Sequence, residues 1–163
     1  MQNSTGWIKQ EADYRDYKFI PLLIFTMLMA TSVDIRKDIP VYNQGKLGSC
    51  VSNAASYLYQ YNMNDSSYSR LMNYYDCRSY IGTINSDSGC NIRDSLKAIR
   101  RNGMCHEKLW AYNISRFAIK PDSKCYSDGR RHKSISYYSV DANINAIKAA
   151  LNEKRPVIFG FPV

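Results

Sequence analysis

The sequence predicts an α+β domain, helical at the front and turning to β structure near its end. Apolar residues recur at helical spacing in three successive stretches, beginning near Cys50, Tyr68 and Asn91. β-forming residues alternate through 134–140 and run together through 157–161, with one more helical stretch between. At 163 residues the chain is long enough for one domain with a real core and short for two.

Composition excludes several classes. Hydrophobic content of 45% and charged content of 22% are ordinary for a globular protein and argue against disorder. The net charge is +8, yet the only local basic clusters are Arg100-Arg101 and Arg130-Arg131-His132-Lys133. A solvated surface is the reading, and no nucleic-acid partner is expected. Five cysteines, at 50, 77, 90, 105 and 125, form no Cys-x2-Cys pair and no Cys/His spacing typical of zinc. No metal and no cofactor are therefore expected. Cys77, Cys90, Cys105 and Cys125 suit two disulfides or four reduced thiols, so the compartment stays open, with an intracellular location slightly favoured.

Taken in order, residues 1–18 are polar and lead into an apolar run over 19–30. Its 12 residues fall short of the roughly 20 that a helix needs to cross a bilayer, so no membrane span is expected. Ala30-Thr31-Ser32 would suit signal-peptide cleavage, but Glu11, Asp13 and Asp16 stand where a signal sequence carries positive charge. Pro40 keeps Ile39 extended ahead of a glycine-containing loop. From Cys50 the positions Val51, Ala54, Ala55, Leu58 and Tyr61 share one helical face, and the helix runs to about residue 63. Ser66 or Ser67 then serves as N-cap for a second helix over 68–80, with Leu71, Met72 and Tyr75 on one side. Its tyrosines read as core with hydroxyls at the edge, in preference to a base-stacking platform. Residues 82–89 form a polar loop. Asn91 caps a third helix with Asp94 in its first turn, Ile92, Leu96 and Ile99 as its buried stripe, and Gly103 as its stop. Residues 121–133 read as a loop and 134–140 as a strand. Asp141 or Asn143 caps a helix bearing Ile144, Ile147 and Leu151, which Pro156 terminates before a buried strand at 157–161.

Chemistry concentrates in Asn43-Gln44-Gly45-Lys46-Leu47-Gly48-Ser49-Cys50. This loop delivers a cysteine to the first turn of a helix. Unpaired backbone N–H groups and the macrodipole there both favour the thiolate, the reactive form. Gln44 carries an amide donor that the loop can fold back beside the sulfur. Together with the Cys50 N–H it would make a two-donor oxyanion hole. The plainer alternative is a small residue that merely starts a core helix.

Gln44-x5-Cys50 with Gly48-Ser49-Cys50 resembles the active-site signature of papain-family, C1-type cysteine peptidases. Leu47 and Val51 stand where the plant and lysosomal branch carries a disulfide cysteine and a tryptophan, so the resemblance is to the bacterial and viral-type branch. Gly6-Trp7 and Asp13-Tyr14-Arg15-Asp16 resemble the segment that precedes the mature domain in that branch. Gly103-Met104-Cys105-His106-Glu107 with Trp110-Ala111-Tyr112 resembles a second family motif, with Ala111 in place of its proline. The resemblance implies a papain-like cysteine proteinase fold: the helical lobe over 34–133 and the first elements of the β-rich lobe over 134–163. Residues 1–33 would form an N-terminal extension or pro-segment. It also implies Cys50 as nucleophile, Gln44 as oxyanion donor, and Gly48, Ser49 and Gly89 as substrate-binding positions. Gly48 would permit the turn, and Gly89 would let a substrate backbone approach closely, although a plain turn glycine fits it equally. The substrate would be a peptide or protein. His106 falls at a family position with no catalytic role and reads as a surface or structural histidine, and His132 as a solvated one.

Amide hydrolysis by a thiol also needs a base and a group to orient it. In papain-like sequences the histidine follows the cysteine by about 130 to 150 residues. Only 113 residues follow Cys50, with no Gly-His segment and no Asn-Ser-Trp. The resemblance therefore implies a chain truncated before its catalytic histidine and asparagine, inactive alone. A fragment or split gene, a second chain supplying the missing lobe, and a pseudopeptidase that binds or inhibits without catalysis all fit this pattern.

Overall fold

A computed structural model describes residues 6–22, 31–133 and 136–161. Among these described residues five α-helices follow in order: α1 (Cys50–Met63), α2 (Arg70–Tyr80), α3 (Ile92–Asn102), α4 (Ser123–Gly129) and α5 (Ile144–Asn152), with a 3-10 turn at Ile114–Arg116. The first three pack on one another and form the body. Leu47, Val51, Leu71, Met72, Tyr74, Cys77, Cys90, Cys105, Trp110 and Cys125 fill one core, while Ala55, Tyr59, Tyr68, Ile99 and Met104 fill a second. All five cysteines are free.

Helix ends follow local chemistry. Ser69, not Ser66 or Ser67, caps α2, accepting from the Met72 N–H at 3.1 Å. Asn91 caps α3 by accepting from the Asp94 N–H at 2.8 Å, while its own amide donates to the Asp94 carboxylate at 2.6 Å. That reciprocal pair satisfies a terminal donor and fixes where the helix begins. Gly103 ends α3 at φ 70°. Asn143 caps α5, which stops at Asn152, four residues before the proline expected to end it.

Three expectations change. The loop read over 121–133 contains α4, started by Asp122, whose side chain accepts from the Cys125 N–H at 2.9 Å. The strands read at 134–140 and 157–161 do not form among the described residues. Ser134 and Ile135 lie outside them, and Ser139 makes an isolated bridge to Lys18. A β-prone segment needs a partner edge to become a strand, and residues 157–161 find none here. The apolar run at 19–30 and the candidate cleavage site at Ala30 fall mostly outside the described residues. No described helix is long and apolar enough to cross a membrane.

The N-terminal segment is part of this body. Trp7 packs against the first core and makes a parallel bridge with Cys90. The Arg93 guanidinium grips the Asp16 carboxylate through two bonds, at 2.8 and 2.6 Å, and the Arg93 N–H donates to the Gln10 side chain at 2.8 Å.

Candidate active site

Cys50 is the first residue of α1, half-buried against the first core. The backbone N–H groups of Val51 and of Cys50 itself are directed at its sulfur. Those contacts lower the thiol pKa, as a helix start should. Burial outweighs them, however, and together with the neighbouring Cys90 pushes the Cys50 thiol above its ordinary value. The helix terminus favours the thiolate as expected, and desolvation of the anion opposes it.

The loop before Cys50 is held from several sides. Gln44 donates its amide N–H to the Leu47 carbonyl at 3.0 Å, which curls the loop and leaves the second amide hydrogen over. Tyr112 donates its hydroxyl to the Gln44 carbonyl at 2.9 Å and hydrogen-bonds the Ser49 hydroxyl. Asn53, one turn into α1, donates to the Ser49 carbonyl at 2.9 Å and to its hydroxyl at 3.0 Å. Arg70 lies between the Tyr42 and Tyr112 rings, 4.6 and 4.0 Å from their centroids. It reaches the Asn43 carbonyl, the Asn53 side chain and the Glu107 carboxylate, which also accepts from the Tyr112 N–H at 2.8 Å. The segment from Glu107 to Tyr112 therefore acts as a brace for the cysteine loop.

Ser49 is fully buried with its hydroxyl engaged, so its side chain faces the interior and is not offered to a ligand. Gly48 is buried too, and its N–H donates to both Asp87 carboxylate oxygens at 3.0 Å. The left-handed turn of the loop belongs to Gly45, at φ 62°, rather than to Gly48. Asp87 in turn accepts from the Tyr74 hydroxyl, whose oxygen accepts the Gly89 N–H at 3.1 Å. Asp87, Tyr74, Tyr112 and Asn53 are the residues that sequence reasoning missed. Tyr112 carried a signal, as part of the second motif.

Gly89 has φ 74° and a backbone neighbour. A Cβ there would lie 2.2 Å from the Gly6 carbonyl oxygen, and a Cβ on Gly6 would lie 1.7 Å from that of Gly48. Residue 6 is thus sandwiched between the cysteine loop and Gly89. The Cys90 N–H donates to the Gly6 carbonyl at 2.8 Å, and the Ile8 N–H to the Cys90 carbonyl at 3.0 Å.

Neither histidine meets Cys50 among the described residues. His106 and His132 contact one another, Tyr68 and the Asp128 carboxylate. A cavity of about 800 Å³ lies between the N-terminal segment, α3 and residues 136–160, and Cys50 does not line it.

No family model matches the chain. An uncharacterized peptidase C1-like protein of Acanthamoeba polyphaga mimivirus is 33% identical over 194 residues, an alignment that takes in 100% of this chain and 62% of the relative. The crystal structure of xylellain, a cysteine protease from Xylella fastidiosa, superposes with a TM-score of 0.85 at 32% identity, over 91% of this chain and 63% of that one. The fold is that of a papain-like cysteine protease, seen here as its helical lobe. The chain is thus similar, in sequence to a peptidase C1-like viral protein and in sequence and fold to a bacterial papain-like cysteine protease. It spans about three-fifths of the length of both.

Proposed function

We infer that Cys50 is the nucleophile of a peptide-bond hydrolase, with the general base supplied by polypeptide outside these 163 residues. The observation that carries this reading is the cysteine at the start of α1 behind a loop braced by Tyr112, Asn53, Arg70 and Asp87. Such bracing fixes the N–H groups that face the sulfur, which is what stabilisation of a developing oxyanion needs. Attack of the sulfur on a peptide carbonyl forms a tetrahedral oxyanion facing the Cys50 N–H and the free hydrogen of the Gln44 amide. Collapse to a thioester expels the amine, which takes its proton from the base, and water then releases the acid. An imidazolium beside the sulfur would also reverse the burial effect that keeps the thiol protonated.

Gly89 suits a substrate backbone because its own backbone is open to close approach. Residues 6–8 use that property now, which supports a pro-segment role for the N-terminal region: it runs where the resemblance puts the substrate.

Expressed from its complete coding sequence, the protein should cleave peptides, and Cys50→Ala should lower the rate by at least about 10⁴-fold while circular dichroism stays unchanged. Cleavage that survives Cys50→Ala overturns the assignment. A second reading, a non-catalytic peptide-binding module, is favoured by the raised Cys50 thiol and the lack of contact with either histidine. It predicts peptide retention without turnover, undisturbed by Cys50→Ala.

A further inference from the structure

Asp65, His106 and His132 come from three separate parts of the chain: the turn after α1, the segment before Trp110, and the turn after α4. Each offers one ligand atom, and the three atoms all lie within 4.8 Å of one another. His106 Nε2 is 3.5 Å from Asp65 Oδ2. Two ligands at about 2.0–2.1 Å from a tetrahedral ion stand roughly 3.4 Å apart, so this pair already has the spacing of a zinc site. Closing the third side takes a side-chain rotation that moves the His132 ligand atom by up to about 1.4 Å, and that ring lies at the surface edge, with 19% of the side chain exposed.

The surroundings fix the donor. Asp128 Oδ2 sits 2.8 Å from His106 Nδ1 and also accepts the His106 backbone N–H at 3.0 Å. A carboxylate on Nδ1 holds the proton on that nitrogen and leaves the Nε2 lone pair facing Asp65. This carboxylate–histidine arrangement orients the imidazoles of protein metal sites. The His106 ring cannot swing away. Tyr68, fully buried, stacks on it at 5.2 Å and 23°, and the antiparallel bridge between Tyr68 and His106 fixes both backbones. The His132 ring stands edge-on to His106 at 4.6 Å and 84°, and edge-on to Tyr68 at 5.5 Å.

We propose that Asp65, His106 and His132 form a binding site for one divalent transition-metal ion of zinc type, with Asp128 as the positioning carboxylate behind His106 and water in the fourth position. Two imidazoles and a carboxylate are a donor set that such ions favour. The ion would clip the ends of α1 and α4 to the segment that carries the Trp110 and Tyr112 brace. The site is independent of the peptidase reading. The spacing in the sequence hid it, because the three ligands are 41 and 26 residues apart and meet only through the fold.

Zinc binding to tag-free protein decides the matter, measured by equilibrium dialysis in a Cys50→Ser background that removes the half-exposed thiol as a competing ligand. The expected result is one Zn²⁺ per chain, lost in the His106→Asn/His132→Asn double variant and weakened about 10- to 100-fold by Asp128→Asn. Asp65→Asn, at a half-exposed position, exchanges the anionic oxygen donor for a neutral amide that can still accept from the Tyr68 hydroxyl, and should weaken binding at least tenfold even if the His106 variant fails to fold. Co²⁺ should give the visible bands of a four-coordinate nitrogen and oxygen site without thiolate charge transfer. The competing account is an imidazolium held between Asp65 and Asp128. It predicts no stoichiometric Zn²⁺, and that result overturns the site, as would undiminished binding in the double histidine variant or thiolate bands from Co²⁺.

Discussion

Arg78 has no exposed surface, yet no carboxylate pairs with it among the described residues. Its guanidinium donates instead to the carbonyls of Thr83, Ile84, Ser86 and Phe117, and its Nε to that of Tyr74, between the Tyr74 and Phe117 rings. One side chain thereby shapes the loop that carries Asp87 toward Gly48. Arg78→Ala leaves those carbonyls buried and unpaired and should cost at least about 3 kcal/mol in urea unfolding. Tyr112→Phe strands the Gln44 carbonyl and takes one of two partners from the Ser49 hydroxyl, and should cost about 1–3 kcal/mol, with slower reaction at Cys50. The thiol itself gives a pH signature. Because burial raises its pKa, the anion forms at higher pH than it does on a free thiol. Iodoacetamide should therefore label Cys50 of this 163-residue chain no faster than free cysteine at pH 6, with a rate still climbing beyond the pH at which free cysteine levels off. Fast labelling at pH 6 would mean that a cation absent from the described contacts reaches the sulfur.

At the scale of elements, the N-terminal segment is held by the start of α3. Arg93→Ala removes the paired bonds to Asp16 and the bond to the Glu11 carbonyl. Limited proteolysis should then cut the first 33 residues sooner, and Cys50 should react faster as residue 6 leaves its place. Equal rates in variant and parent would detach the segment from access to the site. The elements readable in the sequence were those whose signals are local. Helices α1 and α3 carry their own apolar faces and ends, Asn91 with Asp94 at one terminus and Gly103 at another. Helix α4 was missed because its seven residues show too little periodicity, although Asp122 announces it. The strands failed for the opposite reason: β propensity is a local property, but pairing depends on an edge elsewhere. The site divides the same way. Cys50, Gln44 and Gly89 stood out through a contiguous motif, whereas Asp87 reaches Gly48 across 39 residues and Tyr112 reaches Ser49 across 63. Asp16 was visible within a motif, yet nothing local shows that it pairs with Arg93.

The whole molecule is unevenly finished. The three-helix body buries tyrosines, methionines and an arginine completely, while Phe159 and Phe161 stand 72% and 61% exposed with their rings 5.9 Å apart. Replacing both with serine should change the stability of this chain by no more than about 0.5 kcal/mol, since little packing is lost. Binding of a hydrophobic dye should fall in the same variant. A large loss of stability would place these rings in a core. Both relatives are longer than this chain by a margin of similar size.

The glycine sandwich at residue 6 has a further consequence. The segment that crosses the cysteine loop is joined to the body through residues 31–40, which have no regular secondary structure and are mostly exposed. While that tether is whole, the segment faces its groove at an effective concentration in the millimolar range, so even weak contacts keep it seated. A single cut in the tether would alter no contact at Gly48 or Gly89, yet it would turn an internal strap into a separate ligand that leaves on dilution. Occupancy of the groove would then depend on how much protein is present, and a crowded sample would stay closed where a dilute one opened.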